Sequence, residues 1–191
     1  MMRILSGSVA LTLWVTAAGA NPVLDTASLD LRLRDESARQ DNGLATGHAT
    51  TLRSRLGIAS VTWRGLSGFV EYEGVAALDR HSYNSGPGGN GQAGRSVVAD
   101  PTGSELNQAY LQFAGPAGLR ARAGRQRLVQ DNARFIGNVG WRQNEQTYDA
   151  VALQLTPADG VSLDYGYLDN VNTIFFGNRR LAGHLARLGA P

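Results

Sequence analysis

The chain contains no cysteine and no lysine, so each of its 18 basic residues is an arginine. The absence of cysteine excludes disulfides, thiol catalysis and cysteine-based metal sites. The absence of lysine excludes a Walker-type phosphate lysine and a Schiff-base or β-lactamase-type lysine. The formal net charge is only +2, and we therefore expect no nucleic acid partner from bulk charge alone.

Long apolar runs are also missing beyond the N-terminus. Residues 1–20 hold a basic Arg3, an apolar core from Ile4 to Val15, and the small residues Ala18-Gly19-Ala20. This pattern predicts a secretory signal peptide cleaved after Ala20. The alternative, a transmembrane helix, needs about 20 apolar residues, more than this core supplies. The mature chain is therefore predicted to be exported, and any membrane insertion must use β-strands.

Apolar and polar residues alternate along much of the mature chain. In the first such segment Leu29, Leu31 and Leu33 alternate with aspartate and arginine. A period of two residues is typical of a strand with one apolar and one polar face. About seven segments are predicted as strands on this basis: Ser28–Asp35, Thr50–Trp63, Leu66–Glu73, Asn107–Phe113, Leu119–Gly124, Tyr148–Leu155 and Val161–Tyr167.

The predicted connections alternate between long and short. This alternation is typical of outer-membrane barrels, which have short periplasmic turns, long outer loops, and strands that are apolar outside and polar inside. A soluble β-sandwich shares the strand pattern, but its loop lengths need not alternate. We therefore predict an all-β fold, a transmembrane antiparallel up-and-down β-barrel. The connections, in order, are Ser37–Ala49, Arg64-Gly65, Asp79–Ser104, Gly115–Gly118, Val129–Thr147 and Thr156–Gly160.

Arginines follow the polar faces of the predicted strands. If the first hairpin is centred near Gly43, Arg34 lies opposite Arg53 and Arg32 lies opposite Arg55. Like charges across a strand pair are unfavourable, so these side chains need water, a carboxylate or a passing anion. The next turn brings Glu73 near Arg55. The other interpretation is an Arg/Glu ladder that braces the wall, and both roles can share residues.

The stretch Gly124–Asp149 is a polar insertion too long for an ordinary turn, and loops of this length are usually functional. Folded inward, it narrows the pore and presents arginines that match carboxylates; the alternative is that they face bulk solvent. Asp131 and Glu145 are possible partners for them. The predicted anion pathway is Arg32, Arg34, Arg53, Arg55, Arg120, Arg122, Arg134 and Arg142, with Glu71, Glu73 and Asp164 as lumen carboxylates.

A few residues are placed by the same pattern outside the lumen. We expect Tyr72, Tyr165 and Tyr167 to belong to an aromatic belt at the membrane interface. Val61, Trp63, Arg125 and Arg127 do not fit the alternation, so we expect them at or beyond strand ends, where an outward arginine costs little. The three histidines lack ligand spacing, and no metal or cofactor is expected.

Several segments together resemble the alginate-export family of bacterial outer-membrane porins. The segments are VVADPTGSELNQAYLQF (Val97–Phe113), GRQRLVQDNARFIGNVGWRQNEQTYDA from Gly124, LRSRLG (Leu52–Gly57), FVEYEGV (Phe69–Val75) and YLDNVN (Tyr167–Asn172). The resemblance implies passive diffusion or export of anionic or polar solutes, or of a polyuronate, through an arginine-rich lumen. It also implies outer-membrane lipid as a partner.

The family's barrels have about 16 to 18 strands, whereas about seven are predicted for this chain. We therefore expect a partial barrel from a truncated gene product, with residues 21–177 as the N-terminal part of the barrel and residues 178–191 as a divergent tail. Two other functional classes stay open. One is an outer-membrane barrel enzyme with an acid-base group at its rim, and the other is a soluble secreted carbohydrate-binding sandwich.

Overall fold

The computed structural model describes residues 3–16, 23–158 and 161–189, and every regular element in these ranges is a β-strand. Nine strands form one open antiparallel sheet in which each strand pairs with its neighbours in sequence. The predicted all-β fold, an up-and-down partial barrel, is confirmed. The strands are β1 (Arg3–Thr16), β2 (Leu24–Arg39), β3 (Gly47–Ser60), β4 (Leu66–Ala77), β5 (Gly103–Ala114), β6 (Arg120–Gln126), β7 (Thr147–Ala158), β8 (Val161–Asn172) and β9 (Asn178–Gly189).

The seven predicted segments correspond to β2–β8, and the structure adds a strand at each edge. At one edge, the predicted divergent tail forms β9, which pairs with β8 from Asn172↔Asn178 to Ser162↔Gly189. The tail was missed as a strand because its leucines stand at positions 181, 185 and 188, a spacing typical of a helix rather than a strand. No helix in the described part of the chain is long and apolar enough to cross a membrane.

At the other edge, β1 lies inside the predicted signal peptide. It pairs with β2 along its whole length, from Arg3↔Arg39 to Thr16↔Thr26. The proposed cleavage position after Ala20 falls within residues 17–22, outside the described residues, and cleavage stays a prediction. Loss of residues 1–20 would make β2 an edge strand.

Short turns and long loops alternate along β2–β7 as predicted. Arg64 and Gly65 both have positive φ, 49° and 84°, which closes a two-residue turn between β3 and β4. Such turns match the right-handed twist of the flanking strands. The long connections are loop A (residues 40–46), loop B (residues 78–102) and loop C (residues 127–146). β7 continues to Ala158, so the first part of the predicted turn at Thr156–Gly160 belongs to the strand, and residues 159 and 160 lie outside the described residues.

The two faces of the sheet are inverted relative to a water-soluble protein. On the outer face, Leu33, Leu56 and Leu111 are 47%, 53% and 60% exposed. On the inner face, Arg34 and Glu73 are 4% and 0% exposed. A soluble sandwich would instead bury its apolar faces against one another. The leucines that alternate with these arginines therefore point away from the protein's polar interior.

Apolar packing on the inner face is limited to two small clusters. One joins Ala38 and Ala49 to Tyr83 and Val98 of loop B. The other joins Tyr148, Ala150 and Leu168 to loop C, through Leu128 and Ile136. Both clusters attach long loops to the inner face, at the end of the sheet where those loops emerge.

Candidate solute pathway

The pairing of β2 with β3 differs from the predicted register by two residues. Arg32, not Arg34, lies opposite Arg53, and Arg34 lies opposite Thr51. The predicted pairing of Arg34 with Arg53 and of Arg32 with Arg55 is wrong, because those pairs centre the hairpin between Gly43 and Leu44, whereas it is centred between Asn42 and Gly43. In the observed register Asp30 faces Arg55 and forms an ion pair with Arg53. Opposite charges across a strand pair are favourable.

A buried charge cluster lies on the inner face of β2, near the end of the strand that leads into loop A. We call it the β2 cluster; it consists of Arg34 and Glu36 of β2, Asp100 of loop B and Arg142 of loop C. Arg34 forms ion pairs with Glu36 and with Asp100, the latter at 3.0 Å. Arg142 of loop C lies 3.3 Å from the same Glu36 carboxylate. Two arginines and two carboxylates thus compensate each other out of contact with solvent. Buried pairs of this kind are costly to break by removing one partner.

Loop C folds onto the inner face, as the prediction of a pore-narrowing loop requires. The Arg32 guanidinium donates from Nη1 to the carbonyl oxygens of Gly140 at 3.0 Å and Arg142 at 3.1 Å, and from Nη2 to that of Trp141. Gln143 Nε2 donates to the Thr51 carbonyl and hydroxyl, each at 2.9 Å. The loop is therefore fastened to both β2 and β3 through its backbone and through buried side chains.

A second buried cluster joins both ends of loop C, at Arg127 and Glu145, to β3–β5. Glu145 is its centre, with ion pairs to Arg127 and, at 3.2 Å, to Arg55. Arg55 also pairs with Glu73, the contact predicted from the turn at Arg64-Gly65. Asn107 joins the cluster by donating to Glu145 at 2.8 Å and to Glu71 at 2.7 Å. We call these six residues the Glu145 cluster.

The charge state of Glu145 is set by two opposing effects. Burial alone would raise the pKa of this carboxyl, but the hydrogen bond from Arg127 and the charges of Arg55 and Arg127 lower it below its ordinary value on balance. A carboxylate that accepts charged hydrogen bonds stays ionised. Glu145 is therefore an anion at neutral pH and holds the arginines around it.

The loop arginines do not pair as the sequence suggested. Glu145 was expected near Arg134 or Arg142 but binds Arg127 and Arg55, and Asp131 lies 3.0 Å from Arg187 of β9. Arg142 is buried against Glu36, whereas Arg134 is exposed and stacks only on Phe135, 5.4 Å from its ring centroid. The two loop arginines therefore differ: Arg142 is buried against the inner face and Arg134 is exposed.

The inner face of β5–β9 contains an open groove of about 290 Å³ between the wall and the first residues of loop C. Arg120, Arg122 and Arg187 line it, together with the carboxylates Asp131 and Asp164. Arg122 donates to Gln112 Oε1 and stacks 4.3 Å from the Tyr110 ring centroid, and among the described residues it has no carboxylate partner. Asp164 accepts a hydrogen bond from Gln154 at 3.0 Å and lies 3.5 Å from Arg187. Arginine charge is therefore less compensated here than under loop C.

Polar residues on the outer face gather near strand ends. Arg125, the penultimate residue of β6, forms an ion pair with Asp149 at 2.8 Å, and Asn170 donates to the same carboxylate at 3.1 Å. Arg127 lies beyond β6 and turns inward, while Val61 and Trp63 lie beyond β3. These placements agree with the expectation that outward-facing arginines lie at or beyond the strand ends, where their cost in a membrane is small. Tyr72 and Tyr165 point outward and bond Ser104 and His184.

Sequence reasoning missed the carboxylates that compensate the arginines of β2. Glu36 continues the inward parity of Arg32 and Arg34, and a longer first strand would have included it. Asp100 stands at the end of loop B, sixty-six positions from Arg34, and nothing local marks it as a partner. Arg187 was missed together with β9.

A family model described as alginate export matches residues 25–165 of the chain. The match begins at the start of β2 and ends within β8, so it covers seven strands of the sheet. Neither a curated protein nor a solved structure matches the chain.

Proposed function

Because the chain belongs to the alginate export family, an outer-membrane transport family of porin-like proteins rather than an enzyme family, we propose that it forms an arginine-lined pore wall. In this proposal anionic or polar solutes, including a polyuronate, pass along the inner face by passive diffusion or export. The signal peptide at residues 1–20 would direct the chain to the outer membrane.

The inverted faces of the sheet are the observation that carries this proposal. Leucine side chains are exposed on the outer face, and arginines and glutamates are buried on the inner face. Such a wall is stable where lipid covers the apolar face and water or protein fills the polar face. An arginine at mid-bilayer on the lipid face would cost about 2–4 kcal/mol. Among the described outer-face positions of β6, Arg125 meets this constraint by lying near the strand end with Asp149 as its partner.

Loop C supports a fixed constriction rather than a free flap. The Glu145 cluster holds both of its ends on the inner face, the β2 cluster holds Arg142, and Arg32 binds its backbone carbonyls. A loop with this many buried ionic contacts opens at a large free-energy cost. The pore would therefore be narrowed permanently on the side of β2–β4.

The predicted anion-pathway arginines divide into two roles in this proposal. Arg32, Arg34, Arg53, Arg55 and Arg142 hold the wall and loop C, because each contacts a carboxylate or a loop carbonyl. Arg120 and Arg122 contact the solute in the open groove, and Arg134 lies exposed in loop C. Guanidinium groups without carboxylate partners can bind passing carboxylates bidentately.

Reconstitution of the protein in a planar bilayer under a salt gradient tests the proposal. We expect stepwise conductance with an anion preference, and reversal of charge in Arg120→Glu with Arg122→Glu should shift the reversal potential toward cations. Arg134→Glu, whose side chain is exposed in loop C, is the matched charge change outside the groove for Arg122→Glu alone. The proposal would be contradicted if the protein stayed soluble without detergent and gave no conductance. It would also be contradicted if the groove substitutions left the reversal potential unchanged.

A further inference from the structure

Trp141 is exposed at a place where its neighbours are buried. Its side chain is 61% exposed, while Arg142, Gln143 and Asn144, which follow it, are 8%, 0% and 1% exposed. Single exposed aromatic side chains are common on protein surfaces, but this one directly precedes a run of buried polar residues. The indole contacts the guanidinium groups of Arg142 and Arg34 and is otherwise left largely exposed.

The position of Trp141 is fixed by its own backbone. Its carbonyl oxygen accepts hydrogen bonds from Arg34, at 3.1 Å, and from Arg32. Both arginines lie in the central part of β2 (Leu24–Arg39), on the inner face and level with the exposed outer leucines. Trp141 therefore lies well inside the wall, at the depth where loop C narrows the lumen.

The surroundings of the indole ring define what it could bind. The Arg142 guanidinium lies 4.1 Å from the ring centroid and the Arg34 guanidinium 5.9 Å from it. Despite these contacts the Trp141 side chain is 61% exposed, which leaves part of the ring uncovered. A flat apolar surface beside fixed hydrogen-bond donors is the usual composition of a small-molecule site. Sugar rings match it, because a pyranose has an apolar face of C–H groups and a polar rim.

We infer that Trp141 is a stacking platform for the apolar face of a pyranose ring, and that it sets the preference of the pore for saccharides over small ions. The inference rests on the proposed pore. It separates two contributions to selectivity: the groove arginines act on charge, and Trp141 acts on ring shape. A neutral oligosaccharide and a charged one should therefore depend on Trp141 to the same degree.

Single-channel recording with added oligosaccharide tests this assignment. In the wild-type pore, both a short oligouronate and a neutral malto-oligosaccharide should interrupt the current. Trp141→Ala should shorten the interruptions by both sugars about tenfold, as expected for loss of an aromatic stacking contact, and Trp141→Phe should restore most of the effect. Phe135→Ala is the matched control, because Phe135 is an exposed aromatic of the same loop at 87% exposure, and it should change nothing.

Intrinsic fluorescence of the protein in detergent provides a second readout that needs no conductance. Oligosaccharide should shift the tryptophan emission of the wild type, and the shift should be absent in Trp141→Ala although Trp63 remains. If the pore conducts but sugars neither interrupt the current nor shift the emission, Trp141 is not a platform, and the proposed pore stands. If sugars shift the emission in the absence of conductance, the platform stands and the proposed pore fails.

Discussion

The inner faces of β2–β4 and of β5–β9 both carry arginines, yet the two regions are built differently. On the inner face of β2–β4, Arg34, Arg53 and Arg55 are buried and Arg32 is half-buried, and each has a carboxylate or a loop carbonyl within reach. On β5–β9, Arg122 bonds only a neutral Gln112 and lines an open groove. The number of arginines on a pore wall therefore does not determine its electrostatic field. Arginines that are paired with carboxylates stabilise the wall and add little to that field.

The largest expected effect comes from the β2 cluster. Glu36→Gln leaves Arg34 and Arg142 with one carboxylate between them, and breaking a buried pair in this way costs about 3 kcal/mol or more. Loop C should then leave the inner face, so that its susceptibility to protease and the conductance of the pore both rise. Limited proteolysis and single-channel recording measure the two effects.

Asp164→Asn is the matched change in the open groove. Its partner Arg187 is 45% exposed, and such pairs contribute about 0–1 kcal/mol. Equal effects of Glu36→Gln and Asp164→Asn on stability would remove the distinction between the two regions.

A smaller effect is expected from acid at the Glu145 cluster. The pKa of Glu145 in the folded protein is below its ordinary value of 4.5, so its stabilising contribution is complete above that value and is lost as the pH falls through the lower folded pKa. The part of loop C docking that depends on Glu145 should therefore weaken only as the pH falls below 4.5. Conductance recorded as a function of pH measures this.

Glu145→Gln should remove the pH step and weaken docking at every pH by about 1–3 kcal/mol, since its charged hydrogen bonds are lost. A step of unchanged size in that variant would assign the acid response to another group.

The smallest expected effect, on ion selectivity, separates the paired arginines from the unpaired arginine most clearly. Arg122→Gln removes an uncompensated charge from the groove and should lower the anion-to-cation permeability ratio about threefold, as expected for one charge acting across several ångströms of water. Removal of a compensated pair, Arg55→Gln with Glu73→Gln, should leave this ratio nearly unchanged. Reversal potentials in a salt gradient give both ratios, and a larger shift from the compensated pair would contradict the account.

The sequence predicted the parts of this structure that depend on local periodicity. The alternation of Leu29, Leu31 and Leu33 with charged residues was enough to assign β2, and the Arg64-Gly65 turn indicated that Glu73 comes near Arg55. The exact pairing also depends on a one-residue shift between the Trp63↔Leu66 bridge at the turn and the β3–β4 ladder, which sets Arg55 opposite Glu73. Loop A is longer, and there the predicted register was wrong by two residues.

Contacts that link loops to the wall could not be predicted. Arg34 forms an ion pair with Asp100 of loop B, and Glu36 links it to Arg142 of loop C. No spacing in the sequence predicts these contacts. The charge balance of each arginine depends on such distant partners. For this reason the sequence identified candidate arginines on the pathway but not which of them are compensated.

Labelling of single cysteines with a charged, water-soluble thiol reagent tests the central claim most directly, because the chain has no cysteine of its own. In membranes, Gln154→Cys in the groove should react fast, Thr51→Cys beneath loop C should react slowly, and Leu153→Cys on the outer face should not react. This result would show a water-filled groove, a loop-covered wall and a lipid-covered outer face. Fast reaction at Leu153→Cys would contradict the inverted wall, and equal rates at Thr51→Cys and Gln154→Cys would contradict the fixed loop.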